Sequence, residues 1–199
     1  MGKFMSSNEV VKKTLTAIKE SQKLYLEFSG NEWLCNAPEY FITVQIAQKL
    51  HLPNENYITL EDDVDYILTE ANALDRKKIR KGRFDIVVWW GNGTPRVIIE
   101  VKNDVSQYRN IAQDVERVKK VLSKNTKYSS IQFGLIAFYI SKHYISKNPN
   151  DEMEALIKNL FQKTKDNIPN CKVSKNYEII YDDNQPNDIY ATVIFKIQK

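Results

Sequence analysis

Three residues in one stretch of the chain have side chains that could bind a metal ion and a phosphate: Asp85, Glu100 and Lys102. Fourteen residues separate the aspartate from the glutamate, and the lysine follows the glutamate by two positions. Hard divalent cations such as Mg²⁺ bind carboxylate oxygens, and such an ion beside an ammonium group suits the hydrolysis of a phosphodiester. This chemistry requires that the three side chains reach one point.

The stretch from residue 82 to residue 103 predicts a β-hairpin that brings these side chains together. Two apolar, β-branched runs flank the tripeptide Gly-Asn-Gly at residues 91–93, and Asn-Gly between such runs favours a two-residue type I′ turn. A turn centred on this Asn-Gly places Asp85 directly opposite Glu100, with their Cβ atoms about 5 Å apart. Lys102 then points to the same face, because side chains alternate along a strand.

Two carboxylates that face each other on a sheet need a counter-charge. Like charges directly opposite each other repel and destabilise the pairing of the strands. A bound divalent cation would remove this cost, so the predicted register of Asp85 and Glu100 indicates a metal site. The alternative is an edge hairpin that carries a surface salt bridge.

The spacing of these residues resembles a known family, the PD-(D/E)xK nuclease superfamily, whose fold is called restriction-endonuclease-like. The matching residues are Asp85 and, after fourteen intervening residues, Glu100-Val101-Lys102, with Phe84 where the motif name has proline. The resemblance implies that Asp85 and Glu100 bind Mg²⁺, with Mn²⁺ as a substitute. It also implies that the Val101 carbonyl is an additional ligand and that Lys102 orients or deprotonates the attacking water.

Glu39 has two interpretations. Asn36 followed three residues later by Glu39 is the pattern of a capping box, and it predicts a helix that opens there. In the resembled superfamily, a glutamate on a helix before the hairpin is often a third metal ligand. Glu39 is therefore either a helix cap or a metal ligand.

The helix predicted after Lys102 offers two further candidates, Gln113 and Arg117. Apolar residues recur at intervals of three and four from Tyr108 to Leu122, which is the pattern of an amphipathic helix. The resemblance implies that this helix adds a glutamine or a basic residue to the site. An exposed polar face is the alternative interpretation of both residues.

A basic run leads directly into the hairpin. Six of the eight residues from 76 to 83 are basic, and they are Arg76, Lys77, Lys78, Arg80, Lys81 and Arg83. Next to the predicted site, such a run suits contacts with the phosphate backbone of a nucleic acid. A solvated linker is the alternative.

The rest of the pattern predicts an α/β fold with a central mixed β-sheet flanked by helices. A near-continuous apolar run over residues 131–141 suits a buried strand, joined to the hairpin by a helical crossover. The order of helix, strands, helix and strand over about 36–140 is that of the restriction-endonuclease-like core. A helix within 1–30, and a helix plus a C-terminal β-hairpin within 150–199, are predicted as additions in a single domain, 1–199.

Composition narrows the function classes. A net charge of +4 permits nucleic acid as a partner, and the absence of a phosphate-cradling Gly-x-x-x-x-Gly-Lys loop argues against an NTPase. Two cysteines far apart in the sequence, no visible signal peptide and no apolar run long enough to span a membrane predict a cytoplasmic protein without membrane contact.

Together these observations predict a metal-dependent nuclease that hydrolyses phosphodiester bonds of DNA. Cleavage of both strands of a duplex needs two such sites, which is compatible with a homodimer. One alternative is a catalytically inactive nucleic-acid-binding or protein-interaction module with the same fold. Another is a structural subunit whose hairpin salt bridge has no catalytic use.

Overall fold

The computed structural model describes residues 5–73, 82–123, 129–143, 148–182 and 185–199. The helices are α1 (Ser7–Ser29), α2 (Glu39–Leu50), α3 (Val64–Glu70), α4 (Ala112–Ser123) and α5 (Pro149–Asn167). The strands are β1 (Asn56–Asp63), β2 (Arg83–Trp90), β3 (Pro95–Lys102), β4 (Phe133–His143), β5 (Lys172–Asp182) and β6 (Gln185–Gln198). Short 3₁₀ turns at Leu34–Asn36 and Tyr108–Asn110 precede α2 and α4.

The six strands form one mixed sheet in the order β1-β2-β3-β4-β6-β5. Strands β3 and β4 are parallel, and every other neighbouring pair is antiparallel. The parallel pair is joined through α4, because parallel neighbours require a crossover connection. The prediction of an α/β fold with a mixed sheet flanked by helices is confirmed.

Two apolar cores cover the two faces of the sheet. Helices α1 and α2 bury residues such as Ile18 and Ile46 against one face, and α3, α4 and α5 bury residues such as Ile67, Val118 and Ile157 against the other. Each helix presents an apolar stripe to the sheet and a polar side to solvent, which is how an amphipathic helix gains burial energy. Of the described helices, none combines the length and the apolar character needed to cross a membrane.

Helix α4 lies unusually close to the sheet at Gly134 on β4. A Cβ atom at this position would lie 2.5 Å from a side-chain carbon of Val118, closer than two such atoms can approach. Only glycine at this position therefore allows α4 to pack at its observed distance from β3 and β4. This close approach brings the polar residues of α4 down to the strand end that carries the predicted site.

The turn between β2 and β3 differs from the predicted two-residue type I′ turn. The Trp90 amide donates to the Thr94 carbonyl at 2.8 Å, and the Gly93 amide donates to the Trp90 carbonyl at 3.0 Å. Residues 91–93 therefore form a three-residue loop, in which Gly93 alone has a positive φ, of 89°. This is the turn in which a left-handed residue, here glycine, follows a type I turn.

A second irregularity restores the predicted register. The pairing shifts between Val88 and Trp89, because Val88 faces Val97 whereas Trp89 faces Pro95, which leaves Arg96 as an extra residue on β3. This is a β-bulge. The longer loop and the bulge offset each other.

Beyond the bulge the hairpin therefore follows the predicted pairing. Ile86 faces Ile99, and the next position outward places Asp85 opposite Glu100. The prediction of the turn type was wrong, and the prediction of the register was right because two departures cancel.

Arg96 explains the bulge physically. Its side chain is buried, Nε donates to the Gln132 side chain at 3.1 Å, and Nη2 donates to the Met5 carbonyl. The guanidinium carbon also lies 4.2 Å from the ring centroid of Trp90. Gln132 and Met5 are distant from Arg96 in sequence, so the local pattern could not reveal that this residue leaves the regular strand pairing.

The predicted capping box at the start of α2 is not formed. Pro38 occupies the N-cap position without a side-chain hydrogen bond, and Asn36 belongs to the preceding 3₁₀ turn. The prediction of Glu39 as a capping-box residue was therefore wrong. Its carboxylate contacts the end of β3.

The C-terminal hairpin is longer than predicted and continues the central sheet. Strand β6 pairs with β4 from Ile197 to Asp188. Phe195 belongs to the core on one face of the sheet, and Ile194 belongs to the core on the other. The hairpin is therefore part of the sheet's two cores.

Candidate active site

The candidate site lies where β3 ends, beneath the first turns of α4. Strand β3 contributes Glu100 and Lys102, strand β2 contributes Asp85, and α4 contributes Asp114 and Arg117. Helix α2 approaches the same end of β3. The site is therefore built from three elements that follow one another in the chain, β2, β3 and α4, and from the more distant α2.

Glu100 is the most deeply buried ionisable group of the site, with a side chain that is 1% exposed. Its Oε1 atom accepts a hydrogen bond from Nη1 of Arg117, whereas its buried Oε2 atom has no hydrogen-bond partner among the described residues. Burial raises the pKa of Glu100 to about 9, a rise that Arg117 opposes and Asp85 increases. Buried polar atoms are nearly always paired, so the free oxygen requires an explanation.

Asp85 is attached directly to β3. Its Oδ2 atom accepts a hydrogen bond of 2.6 Å from the backbone amide of Val101, the residue between Glu100 and Lys102. This contact fixes the aspartate at the position that the register predicts. It leaves the Oδ1 atom without a hydrogen bond from any described residue, and the residue is partly exposed.

Lys102 is surrounded by carboxylates. Its Nζ atom lies 2.9 Å from Oε1 of Glu39 and 3.7 Å from Oδ2 of Asp114. Burial lowers the pKa of Lys102, but the hydrogen bond that Lys102 donates to Glu39 and the charges of Asp114, Glu39 and Asp85 outweigh this effect, and the pKa is raised overall. Lys102 therefore stays an ammonium ion at neutral pH.

Asn103, the residue after Lys102, holds Glu39 beside Lys102. The Asn103 backbone amide donates to Oε2 of Glu39 at 3.2 Å. The Asn103 side-chain amide donates to the carbonyls of Leu34 and Ala37 at 2.7 and 2.8 Å. Asn103 thus ties the turn before α2 to the end of β3.

Arg117 and Asp114 come from α4, and only Arg117 was a candidate from the sequence. Nη1 of Arg117 contacts Glu100, lies 3.4 Å from Oδ1 of Asp114, and donates to the carbonyl of Arg83 at 3.2 Å. Asp114 is 4% exposed, and burial is the main reason why its pKa is raised. The two residues link Glu100 to Lys102 in one network of ion pairs.

The sequence contained a signal for Asp114. It lies three residues after Ile111 and four before Val118, so it occupies a position on the apolar stripe of α4. A charged residue on a buried stripe requires a partner in the interior. Gln113 is exposed on the same helix and makes no hydrogen bond to the other described site residues.

Most of the basic run falls outside the described residues. Arg76, Lys77, Lys78, Arg80 and Lys81 all lie there. Arg83 is described, and its side chain is exposed, with Nε 3.8 Å from the carboxylate of Asp63. Whether this run contacts phosphate stays a prediction.

The donor set fits a magnesium ion. Within the described ranges, no three His, Cys, Asp or Glu side chains are grouped so that they could together hold a metal. Mg²⁺ does not need such a group, because it is commonly bound by one or two carboxylates and keeps several waters. Asp85 and the unpaired Glu100 oxygen supply carboxylate ligands of this kind.

Comparison with protein-family models, with curated proteins and with solved structures finds no match for this chain. The residues and their geometry are therefore what any functional proposal stands on.

Proposed function

We propose that this protein is a Mg²⁺-dependent nuclease of the PD-(D/E)xK superfamily that cleaves DNA. The observation that carries the proposal is the convergence of Asp85, Glu100 and Lys102 at one strand end, where a buried Glu100 oxygen has no partner. A buried carboxylate oxygen that the described protein leaves unpaired is suited to a cation.

The arrangement of elements supports a restriction-endonuclease-like core. A helix, α2, precedes an antiparallel strand pair, β2 and β3, and α4 then leads to the parallel strand β4. This is the order that the sequence resemblance implies for about 36–140. The candidate residues lie on the hairpin and on the helix that follows it.

The described residues would hold the metal and the substrate in distinct ways. Asp85, the free oxygen of Glu100 and the Val101 carbonyl would bind Mg²⁺, which when bound polarises phosphate oxygens and acidifies a water molecule. Arg117 can keep its contact with the other Glu100 oxygen at the same time.

The role that the geometry favours for Lys102 is electrostatic. Three carboxylates raise the pKa of its ammonium group, so Lys102 would hold a positive charge beside a phosphate bound at this site. Such a group stabilises the negative charge that develops during hydrolysis. Of the two roles implied by the resemblance, orienting the water is therefore favoured over deprotonating it.

Cleavage assays test the proposal. Supercoiled, linear, single-stranded and branched DNA would be incubated with the protein in Mg²⁺ and in Mn²⁺, beside Lys102→Ala and a matched control, Lys120→Ala. Lys120 lies on α4, is about half exposed and contacts only Glu116 among the described acidic residues. We expect cleavage by wild type and by Lys120→Ala, and none by Lys102→Ala.

One observation favours an alternative, a nucleic-acid-binding or protein-interaction module without catalysis. Arg117 already partly neutralises Glu100 in the absence of a metal. This alternative predicts binding without turnover, and no heat of Mg²⁺ binding in calorimetry. A heat that is present in wild type and lost in Glu100→Gln would favour the nuclease.

A further inference from the structure

A pocket of about 270 Å³ opens at the end of β4, the strand that runs parallel to β3. Its walls come from three regions, the turn before α2, the end of β4 and Asp188 on β6, and we call it the β4 pocket. Trp33 and Asn36 line it from the turn, and Lys142 and His143 line it from the strand. Its volume lies just below the range of pockets that bind drug-sized ligands, so it suits a small unit.

The β4 pocket is a short distance from Lys102. Strand pairing places Lys102 beside Phe138 on β4, and Lys142 lies four positions further along that strand, which corresponds to about 13 Å. The turn that lines the pocket accepts hydrogen bonds from the side chain of Asn103, the residue after Lys102. A polynucleotide with one phosphate at Lys102 would therefore reach the pocket within a few nucleotides.

An aromatic ring forms one wall of the pocket. Trp33 is partly exposed, and its ring is held by an edge-on contact with Tyr190, with ring centroids 5.8 Å apart at an angle of 90°. Nucleic-acid bases stack on aromatic side chains regardless of sequence, and this stacking is a main source of affinity for single strands. A fixed, partly exposed indole suits that role.

Polar groups line the rest of the pocket. The Asn36 side-chain amide donates to Oε2 of Glu32 at 2.6 Å, and both residues can form hydrogen bonds with the edge of a base. Lys142 brings a positive charge. Nδ1 of His143 contacts the carboxylate of Asp188, which orients the imidazole and leaves its other ring nitrogen for a ligand.

We propose that the β4 pocket binds one unpaired nucleotide of the substrate strand, with the base on Trp33 and the phosphate at Lys142 and His143. This inference rests on the proposed nuclease function and names its substrate class. Bases within a duplex are already paired and stacked. The substrate would therefore be DNA with a single-stranded region, such as an overhang, a flap or a free single strand.

Binding measurements without turnover test the pocket. A labelled single strand of about 12 nucleotides and the same sequence as a blunt duplex would be titrated by fluorescence anisotropy with the metal chelated. The variants are Trp33→Leu, Trp33→Phe and a matched control, Tyr66→Leu, which removes a 52% exposed aromatic ring on α3. All variants would first be checked for native circular dichroism.

We expect Trp33→Leu to weaken single-strand binding about 5- to 100-fold, with little change on the duplex. Trp33→Phe should restore most of the affinity, and Tyr66→Leu should match wild type. Equal losses on single strand and duplex, or no loss in Trp33→Leu, would overturn the pocket's role. Competition by a nucleoside monophosphate as strong as that by the strand would make the ligand a free nucleotide and would also overturn it.

A second variant serves if Trp33→Leu fails to fold. Lys142→Ala changes a surface residue, and it should flatten the salt dependence of single-strand affinity by about 0.7 units of log–log slope. Lys158→Ala, on the exposed side of α5, is its control and should leave the slope unchanged. Equal slopes in all three proteins would remove Lys142 from the binding surface.

The same preparations separate this inference from the proposed function. Mg²⁺-dependent cleavage that persists with an unchanged substrate preference in Trp33→Leu would overturn the pocket alone. Absence of both cleavage and nucleic-acid binding in wild type would overturn both proposals.

Discussion

The two β-hairpins of this protein place their charged residues in opposite ways. In β5–β6, Glu178 points outward, and its ion pair with Lys19 of α1 has side chains that are 48% and 33% exposed. In β2–β3, Glu100 points inward, and the side chains of its ion pair with Arg117 are 1% and 26% exposed. A glutamate with a basic partner is thus found in both hairpins, in two different environments.

The difference separates an ordinary surface from a candidate site. An exposed ion pair keeps its hydration and is worth little, whereas a buried carboxylate loses its hydration and depends on its partners. Strand β5, which carries Glu178, follows the usual alternation of more and less exposed residues. Strand β3 is buried along nearly its whole length, yet it carries a carboxylate with one oxygen that no described residue pairs.

The largest expected effect is on catalysis. Glu100→Gln should lower the rate of Mg²⁺-dependent cleavage by on the order of 100-fold or more, because an amide is a poorer ligand for a hard cation. Glu178→Gln makes the same chemical change in the other hairpin and should leave the rate unchanged. Equal rates for the two variants under single-turnover conditions would show that the buried glutamate has no catalytic role.

The next effect is on stability. Arg117→Met should lower the free energy of unfolding by about 2 kcal/mol, because Glu100 and Asp114 lose their shared cation. The loss stays this small because burial raises the pKa of Glu100 to about 9, so that this group is already mostly protonated at neutral pH. Urea titration at neutral pH measures the change. A loss below about 0.5 kcal/mol would mean that the Arg117–Glu100 ion pair contributes no more to stability than an exposed ion pair.

A smaller effect is expected from the metal itself. Mg²⁺ at ten times its dissociation constant should stabilise the native state by about 1.4 kcal/mol, which is about 3–5 °C in the thermal midpoint of a chain of this size. Asp85→Asn and Glu100→Gln should abolish the shift, while Glu178→Gln keeps it. A shift that survives in Asp85→Asn would place the ion elsewhere.

The smallest effect is expected at the exposed pair. Lys19→Met should change the free energy of unfolding by less than about 1 kcal/mol, and added salt should reduce even that difference, because salt screens exposed charges. Urea titrations at low and high salt measure it. A large, salt-insensitive loss would mean that the two hairpins differ less than their burial suggests.

The β2–β3 hairpin, some of the six strands and the shared face of Asp85, Glu100 and Lys102 could be predicted from the sequence. These features depend on local periodicity. The sequence did not reveal that Glu39 approaches Lys102, since that contact depends on Asn103 holding a turn more than sixty residues earlier in the chain. Asp114 was visible as a charge on an apolar stripe. Its partners were not, because they depend on how closely α4 approaches the sheet.

The β4 pocket shows the same limit more strongly. Trp33 and Asn36 lie near residue 35, Lys142 and His143 end β4, and Asp188 belongs to the last strand. The local sequence pattern of any one of these three segments gives no sign that the other two lie next to it. They come together only because β4 and β6 are neighbours in the sheet and the turn before α2 lies against the end of β4.

The three-residue loop and the bulge of the β2–β3 hairpin together constrain how this sequence can evolve. The extra loop residue and the extra residue at Arg96 each displace the strands by one position, in opposite senses. A deletion in the loop alone would turn every side chain beyond the bulge to the other face, moving Asp85 away from Glu100. Relatives of this protein should therefore either keep both features or lack both, so that loop length and bulge are inherited as a single unit.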